Sequence, residues 1–351
     1  MSRLLCGGID CDIHPPAPTI AALMPYLDPF WRAMLVTRGL DEPNSILYPE
    51  NSPLTLRPDW RHETGSALDH LRADALDPFG TSIAICNTLF SIQLFHSEDM
   101  AAALARAVND WTAAELLDRE PRLRASIVVP MQSPERAVDE IERCAADPRF
   151  VSVLLTVMGG NQPLGKRAWW PIYAAAERLG LPVGIHAGSS YHNPPSPVGW
   201  TSYSSEDYAA QSQAFQTQLT SLITEGVFSR YPALKVVLLE SGFTWLPAHL
   251  WRLSKYWRGL RMEIPWVDRS PTEIVRDNVR LSLQPIDAPE DALPRLLDHM
   301  QSDEFLLFST DYPHWQFDGV DVLPASLDAA LIRKIMIDNP RATFARLLET
   351  V

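Results

Sequence analysis

Three residues that can bind a metal ion or a proton follow a short apolar run near the start of the chain. Asp10, Asp12 and His14 occupy alternate positions in GIDCDIHPP, residues 8–16, and two prolines end the segment. Because alternate residues of a strand project to the same side, Asp12 and His14 point together. With one ligand from each of two further strands, Asp12 and His14 would hold a divalent metal ion. We expect Asp10 to hold these ligands in position rather than to bind the metal itself.

Two later apolar runs end in residues that would complete such a site. His186 lies in GIHAG and Asp311 lies in FSTDYPHW. A buried carboxylate is unfavourable unless it is paired or holds a cation. Asp12, His14, His186 and Asp311 offer two nitrogen and two oxygen ligands, which suit one zinc or manganese ion per chain. Taken singly, each of these residues could instead cap a turn or form hydrogen bonds in the core.

Eight apolar runs of strand length place these polar residues at their ends. Most of the runs are rich in Val, Ile and Leu and are apolar at consecutive positions, which is typical of strands covered on both faces. The runs cover residues 4–14, 81–89, 124–130, 151–157, 181–188, 233–242, 279–286 and 304–313.

The segments between the runs have apolar residues at helical spacing, as in residues 97–118 and 133–147. Strands that alternate with helices predict a (β/α)8 TIM barrel, in which the carboxyl ends of the strands converge on one mouth. A doubly wound open sheet is the competing fold, but no G-x-G-x-x-G motif follows the first run. We therefore predict one barrel domain over residues 1–351.

Three connections are longer than ordinary loops: residues 15–80, 189–208 and 256–275. Each follows a run that ends in polar residues, so each is placed to cover the mouth of the barrel. We predict that residues 15–80 are an inserted segment after strand one that acts as a lid.

The charge and composition of the chain indicate which binding partners and which cellular location to expect. The net charge of −13 disfavours nucleic acid, because phosphate binding needs clustered Lys and Arg. No apolar run is long enough to predict a membrane span. The N-terminus has no signal-peptide pattern and the four cysteines form no CxxC pair, which favours the cytoplasm. We expect a small-molecule substrate and a homodimer, since symmetric dimers predominate among oligomers.

Four motifs at predicted strand ends resemble the amidohydrolase-related family, the branch of the amidohydrolase superfamily that includes aminocarboxymuconate-semialdehyde decarboxylase. The motifs are IDCDIHPP, GIHAG, LLESGFTWLP and FSTDYPHW, and the resemblance covers nearly the whole chain. It implies a (β/α)8 barrel with a single zinc or manganese ion. It also implies that Asp12 and His14 form the first-strand motif, and that His186 is the fifth-strand histidine. Asp311 matches the eighth-strand aspartate, which binds the metal and works as acid or base.

The chain departs from this family pattern at two strand ends. Many members have a histidine at the end of strand six that helps with proton transfer in the decarboxylases, whereas this chain has Glu240. Glu240 is therefore the second acid or base candidate, and its presence favours hydrolysis. Binuclear members use a carboxylated lysine at the end of strand four, where this chain has LLTVMGG, so a single metal ion is expected.

Residues beside these motifs are predicted to form the substrate site. Arg252 or Arg258, after strand six, would bind a substrate carboxylate with the paired donors of its guanidinium group. The other candidates are aromatic or hydrogen-bonding residues: Trp245, Trp315, His314, Asn87 and Gln284. Each could also have a structural role, because Trp often fills cores and helical Arg often faces solvent.

We interpret the chain as a metal-dependent hydrolase that acts through metal-activated water. Its substrate would be an amide, lactone or similar carbonyl of a small, ring-containing carboxylated compound, and Asp311 would move the proton. The alternative is non-oxidative decarboxylation of a small aromatic or unsaturated acid, with Asp311 delivering a proton to carbon. A third interpretation, from another class, is a barrel that binds a small molecule without turnover.

Overall fold

Eight parallel strands form the centre of the molecule. The computed structural model describes residues 6–40, 62, 64–188, 192–315 and 323–348. The strands are β1 (Ile9–Ile13), β2 (Ile83–Cys86), β3 (Leu123–Val128), β4 (Phe150–Thr156), β5 (Val183–His186), β6 (Val236–Leu239), β7 (Val279–Ser282) and β8 (Leu306–Leu307).

The sheet runs in chain order from β1 to β8 and closes on itself. The Cys11 amide of β1 donates to the Phe308 carbonyl (2.9 Å), and the Asp311 amide donates to the Asp12 carbonyl (3.0 Å). Every residue of β4 is buried, as expected for strands covered on both faces. The predicted (β/α)8 TIM barrel is therefore confirmed, and its closure brings the ends of β1 and β8 together.

Helices follow most of the strands and cover the outside of the barrel. Ser97 caps the helix that begins at Glu98, since its hydroxyl accepts from the Met100 amide. The helices are α1 (Ile20–Leu23), α2 (Pro29–Arg38), α3 (Ala67–Leu71), α4 (Glu98–Thr112), α5 (Pro134–Cys144), α6 (Trp170–Arg178), α7 (Ser204–Thr224), α8 (Val227–Arg230), α9 (Leu246–Leu260), α10 (Pro271–Asn278), α11 (Leu293–Met300), α12 (Ala329–Arg333) and α13 (Asn339–Thr343).

Apolar side chains of the strands and helices pack into two buried clusters. Val183 and Ile185 of β5 share one buried cluster with Phe215 of α7 and Leu250 of α9. This packing fixes the strands, so that the residues at their carboxyl ends occupy defined positions. Within the described residues, no helix combines the length and the apolar character needed to cross a membrane.

The three predicted connections are described only in part. Residues 15–80 contain α1, α2 and α3, but residues 41–61 and 63 lie outside the described part, so the inserted lid stays a prediction. Residues 189–191 of the second connection also lie outside it. The bounds predicted for the third connection are wrong, because α9 continues to Leu260 and α10 begins at Pro271.

Candidate metal centre

Four side chains with metal-binding atoms meet at the carboxyl end of the barrel. Asp12 is in β1 and His14 follows it, His186 ends β5, and Asp311 follows β8. One nitrogen or oxygen atom from each lies within 4.8 Å of the others, and all four residues are buried. The structure thus brings together the two imidazoles and two carboxylates that the sequence analysis selected. We call these four residues the ligand cluster.

Asn87, at the end of β2, positions both ligands of the first strand. Its Nδ2 atom donates to Asp12 Oδ1 (2.7 Å), and its backbone carbonyl accepts from His14 Nδ1 (2.9 Å). Because Nδ1 of His14 carries a proton, Nε2 is the ring atom that faces the cluster. Asn87 was predicted to line the substrate wall; its hydrogen bonds orient Asp12 and His14, and its contact with substrate stays a prediction.

His186 faces His14 across the ligand cluster. Its Nδ1 atom donates to the Ala187 carbonyl (2.5 Å), so Nε2 again points inward. The two Nε2 atoms lie 3.2 Å apart, and the two rings meet edge to face. When both imidazoles are neutral, two lone pairs point at each other, and a cation between them relieves this repulsion.

Asp311 is held by two histidines in a conformation that side chains rarely adopt. Its φ angle of 55° lies in the left-handed region. Its Oδ1 atom accepts from His314 Nδ1 (2.8 Å) and lies 3.0 Å from His14 Nε2. The His314 ring also stacks on the His14 ring, with centroids 4.8 Å apart. Backbone strain of this kind concentrates at functional sites, and His314 orients the aspartate there.

Asp10 ties β1 to the segment that carries Asp311. Its Oδ1 atom accepts from the amides of Asp12 (3.2 Å) and Thr310 (3.0 Å), and its Oδ2 atom accepts from the Thr310 hydroxyl (2.6 Å). Burial raises the pKa of Asp10 to about 7, although the hydrogen bonds from Thr310 oppose this shift. Asp10 therefore supports the ligands without joining the ligand cluster.

The electrostatics of the ligand cluster favour a positive charge at its centre. Burial alone would lower the pKa of His14, but the carboxylates of Asp12 and Asp311 outweigh burial and raise it well above its usual value. Burial lowers the pKa of His186 to about 4, so this imidazole is neutral at pH 7. Burial would raise the pKa of Asp311, but the charge of His314 and hydrogen bonds from both neighbouring histidines hold it below its usual range.

Two buried oxygen atoms of the ligand cluster have no hydrogen-bond partner. They are Asp12 Oδ2 and Asp311 Oδ2, one on each carboxylate. A buried carboxylate oxygen without a partner is unfavourable, and one cation would satisfy both atoms. The four residues therefore fit a single divalent metal ion, and two nitrogen with two oxygen donors are compatible with zinc or manganese.

Glu240 lies beside the ligand cluster at the end of β6. Its Oε2 atom is 3.6 Å from His186 Nε2, and its φ angle of 53° is in the left-handed region, like that of Asp311. Glu240, Asp311 and His314 form a second group of potential ligand atoms within 4.8 Å. Burial and the charge of Asp311 raise the pKa of Glu240 well above its usual value. Glu240 thus lies close enough to the ligand cluster to act as an acid or base or as a further metal contact, and this role stays a prediction.

The predicted aromatic and arginine residues lie outside the ligand cluster. Trp245 anchors the loop after β6, because its Nε1 atom donates to the Ser241 carbonyl (3.0 Å). Trp315 is 55% exposed and meets the Tyr208 ring edge to face. Arg252 is exposed on α9, with its guanidinium group over the ring of Tyr256. The substrate-binding roles of Trp245, Trp315 and Arg252 stay predictions.

Gln284 follows β7, and its place in the substrate wall stays a prediction. It is buried, and neither its side-chain oxygen nor its side-chain nitrogen has a hydrogen-bond partner. Its backbone amide donates to Ser309 Oγ (3.1 Å), which fixes the residue beside the segment that leads to Asp311. An amide with two unsatisfied atoms can bind both a donor and an acceptor of a ligand.

Asp207, a buried carboxylate on α7, was not among the site residues predicted from the sequence. Its Oδ2 atom accepts from Gln211 Nε2 (2.9 Å), and its charge contributes to the raised pKa of Glu240. The surrounding segment, YSSEDYAAQ, carries several polar residues and follows no apolar run. No pattern in the sequence distinguishes Asp207 from its exposed neighbours.

Curated relatives of the chain are decarboxylases. The chain is 26% identical over 261 residues to gamma-resorcylate decarboxylase from Rhodococcus jostii, and this alignment covers 69% of the chain and 75% of the relative. It is 27% identical over 142 residues to 2-amino-3-carboxymuconate-6-semialdehyde decarboxylase from Dictyostelium discoideum, covering 40% of the chain and 38% of the relative. The second likeness is therefore confined to part of both proteins.

Solved structures share the fold, and a family profile matches almost the whole chain. A dihydroxybenzoic acid decarboxylase from Polaromonas sp. JS666, solved with manganese and 2-nitroresorcinol, superposes with a TM-score of 0.67 at 22% identity. That match covers 97% of each chain. The profile of the amidohydrolase family matches residues 9–346, which include every residue of the ligand cluster. The chain belongs to the amidohydrolase family.

Proposed function

We propose that the chain catalyses the metal-dependent, non-oxidative decarboxylation of a small hydroxylated aromatic acid. The observation that carries the proposal is the buried cluster of two imidazoles and two carboxylates with unsatisfied oxygen atoms. Relatives that align with most of the chain are named gamma-resorcylate decarboxylases, and a solved structure of the same fold is named 2,6-dihydroxybenzoate decarboxylase. Manganese is the metal we propose, because it is the ion named in related structures.

Asp12, His14, His186 and Asp311 would hold the metal. A bound divalent ion supplies Lewis acidity toward the oxygen atoms of a substrate. Asn87 and His314 keep the ligands in place through their hydrogen bonds to Asp12, His14 and Asp311. Because the ligands are already oriented, little reorganisation is needed when substrate binds.

The chemical step breaks the bond between the ring carbon and the carboxylate carbon. The electron pair of that bond stays on the ring carbon, and carbon dioxide leaves. A carboxyl group of the chain then gives a proton to the ring carbon and takes one proton up from the solvent, so each turnover consumes one proton, releases one carbon dioxide and requires no oxidant. Asp311 and Glu240 are the candidates for this proton transfer, since their carboxyl groups lie together at the ends of β8 and β6.

Hydrolysis of an amide or lactone has less support. It rested on Glu240, which stands where many family members have a histidine, and the decarboxylase relatives favour the alternative. Glu240 can serve proton transfer to carbon as well as it can serve water activation. We retain hydrolysis as the outcome that the experiment must separate from decarboxylation.

The test is product analysis with the full chain loaded with manganese. The substrates would be 2,6-dihydroxybenzoate and 5-carboxyvanillate, with an aryl lactone as the hydrolysis probe. We expect carbon dioxide and the matching phenol in equal amounts, with no net water consumed. Asp311→Asn should reduce the rate by at least a hundredfold, since it removes both a ligand and an acid. His249→Gln is the control, because His249 binds Thr220 on α7, outside the ligand cluster.

Lactone opening without carbon dioxide release from either acid would overturn the decarboxylase proposal in favour of hydrolysis. Binding without any turnover would favour the non-catalytic barrel. The homodimer, the single-domain organisation and the cytoplasmic location stay predictions. Light scattering of the purified full chain checks the first of these.

A further inference from the structure

A cleft of about 470 Å³ lies at the amino end of the barrel, where the strands begin, and the metal centre lies at the opposite end. The cleft is bounded by α8, by α10 and by residues at or just before the starts of β6, β7 and β8. Its volume is in the range of a small-molecule site. Four cationic side chains line it, and they are Lys235, Arg269, Arg276 and Arg280. We call it the amino-end cleft.

Arg280, in β7, places a buried guanidinium group in the wall of the amino-end cleft. Its side chain is only 8% exposed, and its Nη1 atom donates to the carbonyls of Arg276 and Val279 (both 2.9 Å), which fixes its orientation. Its Nη2 atom makes no hydrogen bond within the described residues and lies 3.8 Å from Glu304 Oε2. Unlike the enclosed Nε atom of Arg276, Nη2 of Arg280 keeps some accessible surface. A buried cation with an accessible free donor favours an anionic ligand.

Lys235 and Arg276 add two cations without carboxylate partners. Within the described residues, no carboxylate oxygen lies within 4.0 Å of a side-chain nitrogen of either residue. Lys235 Nζ donates to the Asp277 carbonyl, and Arg276 Nη2 donates to Gln301 Oε1 (3.4 Å). Burial lowers the pKa of Lys235, and the charge of Arg280 lowers it further, so the two positive charges repel each other. A bound anion would relieve this repulsion.

The acidic residues of the amino-end cleft do not neutralise its cations. Asp277 is paired with Arg269, and Asp268 lies 4.0 Å from the Nε atom of the same arginine. Glu304 is the carboxylate that approaches Arg280, but its side chain is 64% exposed and water screens its charge. Three cations therefore remain with one screened carboxylate, which leaves a charge that an anion of about −2 would balance.

The walls of the amino-end cleft are held in place before any ligand binds. Asn278, at the end of α10, is buried, and its Nδ2 atom donates to the carbonyls of Pro232 (2.9 Å) and Leu234 (2.8 Å). These hydrogen bonds tie α10 to the segment that carries Lys235 into β6. Because the cations stand on packed elements, little ordering is needed when a ligand binds.

We propose that the amino-end cleft binds a small organic phosphate, that is, a phosphate monoester. The phosphate oxygens would accept hydrogen bonds from Lys235, Arg276 and Arg280, and the organic part would occupy the remaining volume beside Pro232. A phosphate group suits the site better than a carboxylate, because it offers three acceptor oxygens and a charge of about −2. The site lies at the other end of the barrel from the metal centre, so the proposal does not depend on the proposed function.

The experiment measures binding to the full chain loaded with manganese by isothermal titration calorimetry. The probes are phenyl phosphate and phenyl sulfate, which share a ring and a tetrahedral group but differ in charge at about pH 8. We expect phenyl phosphate to bind about tenfold more tightly than phenyl sulfate, and its binding to weaken as salt is added. Equal binding of the two probes, or no binding of phenyl phosphate, would overturn the proposal.

Variants of the lining test whether the phosphate occupies this cleft. Lys235→Gln and Arg276→Gln each remove one cation, and each should weaken phenyl phosphate binding about fivefold to tenfold. Glu304→Gln should strengthen it about twofold to threefold, because the carboxylate nearest Arg280 is removed. Arg178→Gln on α6 is the charge-matched control and should have no effect. Thermal unfolding would verify that each variant is folded. If both cation variants bind phenyl phosphate like the unmodified chain, the proposal fails.

Phosphate also binds divalent metal ions, and His186→Ala separates the two sites. This variant is expected to lose the metal and keep the amino-end cleft, so phenyl phosphate binding should stay within about twofold. Binding that is lost in His186→Ala but kept in Lys235→Gln would place the phosphate on the metal and overturn the proposal. A chain that releases no carbon dioxide but binds phenyl phosphate through Lys235 would end the decarboxylase proposal and leave the phosphate site standing.

Discussion

The two ends of the barrel use carboxylates in opposite ways. At the amino end, Glu120 before β3 accepts from Arg72 Nε (2.8 Å) and Arg122 Nε (2.9 Å), so both its oxygens are paired with cations. At the carboxyl end, Asp12 and Asp311 share His14 and each keeps one oxygen without a hydrogen-bond partner. Carboxylates at the amino end therefore stabilise the fold, whereas those at the carboxyl end are arranged for a ligand.

The pKa values express the same contrast. Hydrogen bonds from Arg122 and Arg72 lower the pKa of Glu120 to about 2, despite the opposing effect of burial. At the other end, burial raises the pKa of Glu240 well above its usual value. A carboxylate whose pKa is lowered by arginine stabilises the folded chain at pH 7, while one whose pKa is raised by burial destabilises it. We therefore expect a bound metal ion to stabilise the carboxyl end.

The largest expected effect comes from removing a ligand at the carboxyl end. His186→Ala deletes one of the two inward-facing Nε2 atoms, so we expect loss of nearly one metal equivalent per chain and at least a thousandfold loss of activity. Elemental analysis of protein purified without chelator measures the first effect, and product formation measures the second. A variant that keeps its metal and its activity would show that His186 is a core histidine.

The next largest effect is expected at Asn87, which orients two of the ligands without being one of them. Asn87→Ala removes the hydrogen bond to Asp12 Oδ1 but leaves the backbone carbonyl that binds His14. Loss of such a supporting partner typically weakens metal affinity about tenfold to a hundredfold. Competition with a chelator measures the change. Unaltered affinity would mean that the backbone of β2 alone orients the site.

The sequence predicts the barrel and the ligand cluster because both depend on local patterns. Runs of apolar residues indicate buried strands, and His186 and Asp311 stand where such runs end. The role of Asn87 depends on the pairing of β2 with β1, where its amide donates to the Ile13 carbonyl (2.8 Å). The unsatisfied side-chain amide of Gln284 depends on the packing of the segment after β7 against the segment after β8, where the Gln284 backbone amide donates to Ser309 Oγ (3.1 Å). Neither feature leaves a periodic signal in the chain.

A smaller effect is expected at the amino end of the barrel, where a substitution of Glu120 should lower the free energy of unfolding. Glu120→Gln removes the charge that pairs with Arg72 and Arg122. A pKa shift from 4.5 to about 2 corresponds to roughly 3 kcal/mol, and partial exposure of both arginines reduces this to about 2 kcal/mol at pH 7. Urea unfolding of the metal-free variant and its parent measures the difference, and catalytic rates should be unchanged.

Glu120→Gln should also change how the free energy of unfolding depends on pH, and the lowered pKa of Glu120 fixes the direction of that change. Because the pKa of Glu120 is lowered in the folded chain, its stabilising effect is present above the unfolded value of 4.5 and is lost as the pH falls toward about 2. The stability difference between parent and Glu120→Gln should therefore shrink across this range. A difference that stays constant between pH 7 and pH 3 would show that packing of the side chain, rather than its charge, stabilises the fold.

The smallest effect on stability is expected for an ion pair on the outer surface of the molecule. This pair provides the reference against which the effect of Glu120→Gln is compared. Arg178 on α6 contacts Glu142 on α5 (2.5 Å), but the two side chains are 57% and 50% exposed. Solvent screens such pairs, so Arg178→Gln should change the free energy of unfolding by less than about 0.5 kcal/mol. Urea unfolding under the conditions used for Glu120→Gln provides the comparison. If the two substitutions destabilise the chain equally, burial does not distinguish the amino-end carboxylates from surface charges, and the contrast between the two ends of the barrel would rest on the ligand cluster alone.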